Sequence, residues 1–192
     1  MTQAPATGLP IVEESEAAGT VTAVYEEIKR YNQLPYVPNI VKIFGASPDM
    51  LTVFWTKWRT MLTHRTLPDA LVAMISYTIA THNECAYCSA LNELSCRTLG
   101  IDEEMLDNLV KDLGHVSPLR IRAIINFSLR VVANPKGLTR ADYDQLRDLG
   151  VTDEEILEIV LTAAFCVYLD VLADTLKPEV DTSVAEALHQ LR

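Results

Sequence analysis

The reading of this chain turns on Thr81-His82-Asn83-Glu84-Cys85-Ala86-Tyr87-Cys88, which puts two thiols three positions apart between two apolar, helix-patterned segments. Residues three apart in a helix share a face. A thiol in the first turn meets the partial positive charge of the helix N-terminus, which favours thiolate over thiol; on that ground Cys85 is the more acidic of the two. Cys88, one turn later, is placed to attack or be attacked by its partner, the minimal equipment for dithiol–disulfide exchange.

The flanks read as helix in both directions. Leu67-Pro68-Asp69 opens an apolar helix through about Thr81, and the Cys-x-x-Cys leads another from about Glu84 to Leu99, where Gly100 supplies the stop. Upstream, Thr20 to Tyr31 carries Val21, Val24, Tyr25 and Ile28 at helical spacing. Pro35 and Pro38 break that pattern, Asn39 to Phe44 reads as a turn or two of helix, and Ser47-Pro48 starts a helix to about Leu62. Downstream, Asp102-Glu103-Glu104 opens a short helix and Ser117-Pro118 a longer one to about Ala133. Asn134 to Gly137 is a turn, Thr139 caps a helix stopped by Gly150, and Thr152 to Glu155 is a capping box ahead of a long apolar helix to about Leu176. No stretch alternates as a strand would, so the fold class is all-α. Residues 1–18 read as a flexible or surface-draped arm, 19–180 as the helical domain, and 181–192 as a last helix or tail. Gly100-Ile101-Asp102-Glu103-Glu104 and Gly150-Val151-Thr152-Asp153-Glu154-Glu155 echo each other. Two similar helical halves and a chance recurrence of acidic helix starts both remain open.

Composition bounds the function. The chain has 192 residues, 49% of them hydrophobic, and a formal net charge of −10. Acidic balance argues against nucleic acid or an anionic membrane surface as partner, since both need clustered Lys and Arg. No apolar run approaches the roughly 18–20 residues of a membrane span, and the first twenty residues show no basic start followed by an apolar segment. The expected setting is the reducing cytoplasm, where a Cys-x-x-Cys is more often catalytic or metal-binding than a structural disulfide.

Asn83-x-Cys85-x-Tyr87-Cys88 behind an apolar helix opened by Leu67-Pro68 resembles the carboxymuconolactone decarboxylase superfamily, in its alkylhydroperoxidase-D-like, peroxidase-related branch. Val37-Pro38-Asn39-Ile40, Ser47-Pro48, Leu138-Thr139-x-x-Asp142, Leu149 to Ile156 and Leu172 to Leu176 fall where that branch has similar segments, so the likeness runs from about residue 20 to 180. The resemblance implies an all-helical alkylhydroperoxidase-D-like fold, homo-oligomers (trimers or hexamers), no cofactor, and thiol-dependent reduction of hydroperoxides with an external dithiol as reductant. It assigns Cys88 as the thiol that attacks peroxide and Cys85 as the one that resolves the sulfenic acid. The dipole argument favours Cys85 instead, and the order of attack stays open.

The resemblance also exposes a gap. Peroxidase members carry a Glu twelve residues before the first Cys and a His four after the second; here those positions are Ala73 and Asn92. Histidine as a residue type titrates near neutral pH, which makes His82, three residues before Cys85, the candidate replacement. Glu84 reads as a solvated carboxylate and Tyr77, one turn after Ala73, as core. Cys96 and Cys166 read as buried small side chains, and Trp55 and Trp58 as core or subunit interface. A zinc site would need Cys85, Cys88, His82 and a fourth ligand with no second Cys-x-x-Cys to supply it, so no metal is expected. The remaining rivals are a homo-oligomeric scaffold or small-molecule binder with vestigial cysteines, a general disulfide reductase and, last, a lyase.

Overall fold

The computed structural model describes residues 6–63 and 65–191; residues 1–5 of the expected arm lie outside it. Among the described residues the chain forms ten α-helices and two single-turn 3-10 segments, with no strand. The all-α expectation is met. The helices fall into two compact units, residues 1–64 with 173–182, and residues 65–172 with 183–192.

The first unit holds α1 (Thr20–Asn32), α2 (Asn39–Phe44) and α3 (Pro48–Thr63). Ile28, Val37 and Leu51 are fully buried, with Tyr25, Phe54 and Trp55 nearly so. Each such side chain contributes about 1.5–3 kcal/mol by leaving water. Residues 12–14 are tied to the helices. The Tyr25 hydroxyl donates to the Val12 carbonyl (2.9 Å), the Val12 N–H to the Lys42 carbonyl (3.1 Å), and Glu14 accepts from the Val37 N–H (3.0 Å). The first turn of α2 is capped from far along the chain: Asp181 accepts from the Asn39 N–H at 2.8 Å, satisfying a donor that has no partner within its own helix.

The second unit holds α4 (Asp69–His82), α5 (Ala86–Thr98), α6 (Glu103–Lys111), α7 (Leu119–Ala133), α8 (Arg140–Asp148), most of α9 (Asp153–Leu176) and most of α10 (Thr182–Leu191). Its centre is α4, which packs on α5, α6 and α7 and buries Leu71, Val72, Ala73, Met74, Ile75, Thr78, Ile79 and Ala80. So many buried positions in fourteen residues leave no polar face, which explains why its sequence is apolar almost all round. Its start is held by Glu158, whose carboxylate accepts from the Thr66 N–H (2.6 Å), the Thr66 hydroxyl (2.5 Å) and the Leu67 N–H (3.0 Å).

Helix α9 corrects one expectation. It is 24 residues long with a mean hydropathy of 2.1 over its most apolar stretch, so one helix is long and apolar enough to cross a membrane by length and composition. Packing in the core accounts for part of that character: Ile156, Ile159, Ala163 and Cys166 recur at helical spacing and belong to the buried cluster of the second unit. On another stripe of the same helix Leu157, Leu161, Ala164 and Val171 are exposed, Leu157 at 71%.

Candidate functional site

The turn between α4 and α5 explains how the two cysteines are placed. After Asn83, Glu84 takes a left-handed conformation (φ 59°), and the Glu84 N–H bonds back to the Thr81 carbonyl (3.1 Å) while the Cys85 N–H bonds to the Ala80 carbonyl (3.0 Å). This is a Schellman helix end, built here with Glu where Gly is usual. Cys85 is therefore at once the last residue tied to α4 and the N-cap of α5, one step ahead of the first turn in which the sequence reading had placed it. Its sulfur accepts the Cys88 backbone N–H at 3.4 Å, as an N-cap side chain does. Cys88 is the third residue of α5 and lies over that cap.

Both thiols are free and buried, Cys85 completely and Cys88 with 8% of its surface exposed. A third group completes the cluster. Asp170, on α9 and 4% exposed, brings a carboxylate oxygen to the two sulfurs, and the three atoms lie within 4.8 Å of one another. The Asn83 side-chain amide donates to the Asp170 carboxylate at 2.7 Å, so the motif's own asparagine orients the acid. Cα atoms three apart at a helix start suit disulfide closure. The Cys88 thiol is pushed far above the usual cysteine value, first by the hydrogen bond it shares with Cys85, then by burial and by the negative charge of Asp170, to which it is also hydrogen-bonded. In the resting site Cys88 is a neutral thiol.

The other predicted residues fall around this cluster or away from it. His82 ends α4 with its side chain exposed and is not one of the three clustered groups. Glu84 is exposed, Ala73 is buried in the core cluster, Tyr77 packs against that cluster, and Asn92 is half-buried on α5. Cys96 is fully buried, its thiol pushed up to about 12 by burial and by Glu93. Cys166 is one helical turn before Asp170; its sulfur donates to the Ser76 hydroxyl at 3.4 Å, and burial pushes its thiol up to about 11. Trp55 and Trp58 pack edge-to-face in the first unit. With two sulfurs and one carboxylate the cluster offers one donor fewer than the four of a closed zinc site.

Asp170 is the group sequence reasoning missed. From Ile159 to Leu172 it is the single charged residue in an apolar run. A carboxylate there must find a partner or cost several kcal/mol, and that was the available signal.

No family model and no curated protein matches the sequence. Solved structures do. A peroxidase-related protein from Ralstonia eutropha, described as an alkylhydroperoxidase AhpD core, aligns with a TM-score of 0.80 at 22% identity, over 91% of this chain and 92% of its own. A peroxidase-related protein from a Silicibacter species aligns with a TM-score of 0.83 at 18% identity, over 95% of this chain and 94% of its own. The debrominase Bmp8, solved in complex with 2,3,4-tribromopyrrole, aligns with a TM-score of 0.78 at 16% identity, over 96% and 97%. The fold is thus that of the alkylhydroperoxidase-D-like proteins, as the motif around Cys85 and Cys88 led one to expect.

Proposed function

We propose that this protein is a dithiol oxidoreductase of the alkylhydroperoxidase type, reducing hydroperoxides through Cys88 and Cys85. The observation that carries the reading is two free thiols at the N-cap and third position of one helix, close enough to link and joined by an N–H to sulfur bond. Cys88 retains some exposure and Cys85 none, which supports Cys88 as the first to meet substrate. Cys88 sulfur attacks the terminal peroxide oxygen, the O–O bond breaks, and a sulfenic acid and an alcohol form. Cys85 then attacks the sulfenic sulfur, releasing water and leaving a disulfide. An external dithiol reduces that disulfide and restores both thiols. His82, at the exposed end of α4, is the group placed to pass protons to solvent in this scheme. The reducing cytoplasm is the matching compartment. The exposed stripe Leu157, Leu161, Ala164 and Val171, at spacings of four, three and seven, supports assembly of several copies into a trimer or hexamer.

The test is peroxide consumption with a dithiol donor by wild type, Cys88→Ser and Cys85→Ser. Wild type turns over, Cys88→Ser is inactive, and Cys85→Ser performs a single oxidation and stalls. Equal rates in all three would sink the reading and leave a scaffold with vestigial cysteines.

A second substrate class is favoured by the likeness to a debrominase. The same pair of thiols holds the two electrons needed to replace bromine by hydrogen on an electron-rich ring, giving a disulfide and hydrogen bromide. Bromide release from tribromopyrrole, with no peroxide consumption, selects it.

A further inference from the structure

The geometry points to Asp170 as the proton carrier of this site, taking the Cys88 proton as sulfur attacks and delivering it to the departing alkoxide. The inference rests on the dithiol reading above and supplies what that reading lacks. The two positions at which peroxidase members carry Glu and His hold Ala73 and Asn92, and His82 lies outside the cluster. Among the described residues the group that does stand against both sulfurs is Asp170.

Four observations converge on it. The carboxylate is 4% exposed, in an apolar stretch of α9, where an ionisable group is costly and its retention points to use. Its carboxylate oxygen lies within 4.8 Å of the Cys88 sulfur, so the proton to be moved has an acceptor close at hand. Asn83 donates to it at 2.7 Å and fixes its orientation. Finally, a thiol that stays protonated at neutral pH cannot attack as a preformed thiolate; it needs an acceptor in reach at the moment the S–O bond forms.

The step balances. Sulfur of Cys88 bonds to the terminal oxygen of the hydroperoxide while its proton passes to Asp170. The O–O bond breaks toward the alkoxide, which takes the proton back from Asp170 and leaves as the alcohol. The carboxylate is regenerated and Cys88 carries the oxygen as sulfenic acid. When Cys85 attacks that sulfur, its proton leaves with the hydroxyl as water, and Asp170, within 4.8 Å of both sulfurs, serves again. One carboxylate thus acts first as base and then as acid. Among the groups that face it are the Cys85 and Cys88 thiols, the Asn83 amide and, on its own helix, the Cys166 thiol.

A purely structural acid, holding the α4–α5 turn through Asn83, is the rival, and Asp170→Asn separates the two. The amide keeps the size and a hydrogen bond to Asn83 but cannot carry a proton. It also removes the negative charge that opposes a thiolate at Cys88. Two readouts therefore move in opposite directions. Alkylation of Cys88 by iodoacetamide at pH 7, which uses thiolate alone, becomes several-fold faster in Asp170→Asn. Cumene hydroperoxide reduction with a dithiol donor and a chelator present becomes about 100-fold slower. Its rate also rises steadily with pH where wild type shows a plateau. Peroxide reduction that stays unchanged, or that moves together with alkylation and with the thermal midpoint, overturns the proposal. If Asp170→Asn fails to fold, Asp170→Glu is read in the same two assays: a carboxylate restored at longer reach retains peroxide reduction above Asp170→Ala, and equality of the two overturns it. Wild type inert toward peroxide removes the dithiol reading and Asp170's role with it. An active wild type, a dead Cys88→Ser and a fully active Asp170→Asn remove Asp170 alone.

Discussion

Helices α5 and α8 end alike and begin differently. After α5, Gly100 is left-handed (φ 81°) and the Ile101 N–H returns to the Cys96 carbonyl at 3.0 Å; after α8, Gly150 is left-handed (φ 76°) and the Val151 N–H returns to the Leu146 carbonyl at 3.0 Å. Each stop runs straight into a capped start, with Asp102 accepting from the Met105 N–H (2.8 Å) and Thr152 from the Glu155 N–H (3.2 Å). The sequence echo is therefore also an echo of backbone geometry. At their starts the two helices diverge in chemistry while sharing positions. The N-cap and third residue of α8 are Thr139 and Asp142, joined in a capping box with the carboxylate 2.7 Å from the Thr139 N–H. In α5 the same two positions are Cys85 and Cys88, with a 3.4 Å N–H to sulfur bond in place of the oxygen contacts. Sulfur is the weaker acceptor. The comparison teaches that one backbone slot closes a capping box when filled by oxygen and brings two free thiols together when filled by sulfur.

The largest expected effect comes from forcing α5 to copy α8. Asp142 has Arg130 against it, whereas an acid at position 88 would meet the Asp170 carboxylate in a buried site. Cys88→Asp should lower unfolding free energy by about 3–5 kcal/mol, the cost of an uncompensated buried charge, measured by urea denaturation; a neutral outcome would break the comparison. Next come the left-handed residues. A Cβ at Gly150 meets nothing within 4 Å, so Gly150→Ala costs backbone strain alone, about 1 kcal/mol. Glu84 occupies the same conformation with a side chain, so Glu84→Gly should raise stability by a similar amount. Thermal midpoints moving in opposite directions sharpen the parallel between the helix ends.

Removing the oxygen cap is of comparable size. Thr139→Ala should cost about 1 kcal/mol. The Arg130 guanidinium, with Thr139, holds the Asp142 carboxyl down at about 2. The unfolded chain, with an ordinary carboxylate near ~3.9, binds more protons in that window, so the contribution of Asp142 is present above pH ~4 and lost as pH falls toward 2. The difference in urea midpoint between wild type and Asp142→Asn should shrink over that range and be constant from pH 5 to 7. The smallest effect concerns the other two thiols. With values near 12 and 11, Cys96 and Cys166 should resist iodoacetamide at pH 8 until the chain is unfolded; rapid native labelling of either would show that burial alone does not quiet a thiol here.

Much of this architecture was legible. Val21, Val24, Tyr25 and Ile28 marked α1, Gly100 and Gly150 marked two helix ends, and the Thr152 box marked the start of α9, because each signal is local and complete within a few residues. The site was legible only in part. Cys85 was displaced from the first turn to the N-cap because the preceding helix stop uses Glu84, which carries no glycine signature. Asp170 acts at a distance of 82 residues from Cys88, and no periodicity reports a contact of that range; only the isolation of its charge in an apolar helix hinted at it. The same apolarity gave α9 its resemblance to a membrane span.

Helix α9 meets α4 at three points in matching order: Glu158 at Thr66 and Leu67, Cys166 at Ser76, and Asp170 at Asn83. Glu158 and Asp170, the two acids that make these contacts, are twelve residues apart, about 18 Å along a helix, so the rod works as a jig that sets the two ends of its neighbour at once. Slip it by one residue and both fastenings are lost together, which ties the fit of the reactive corner to how well a turn at the far end of α4 is seated.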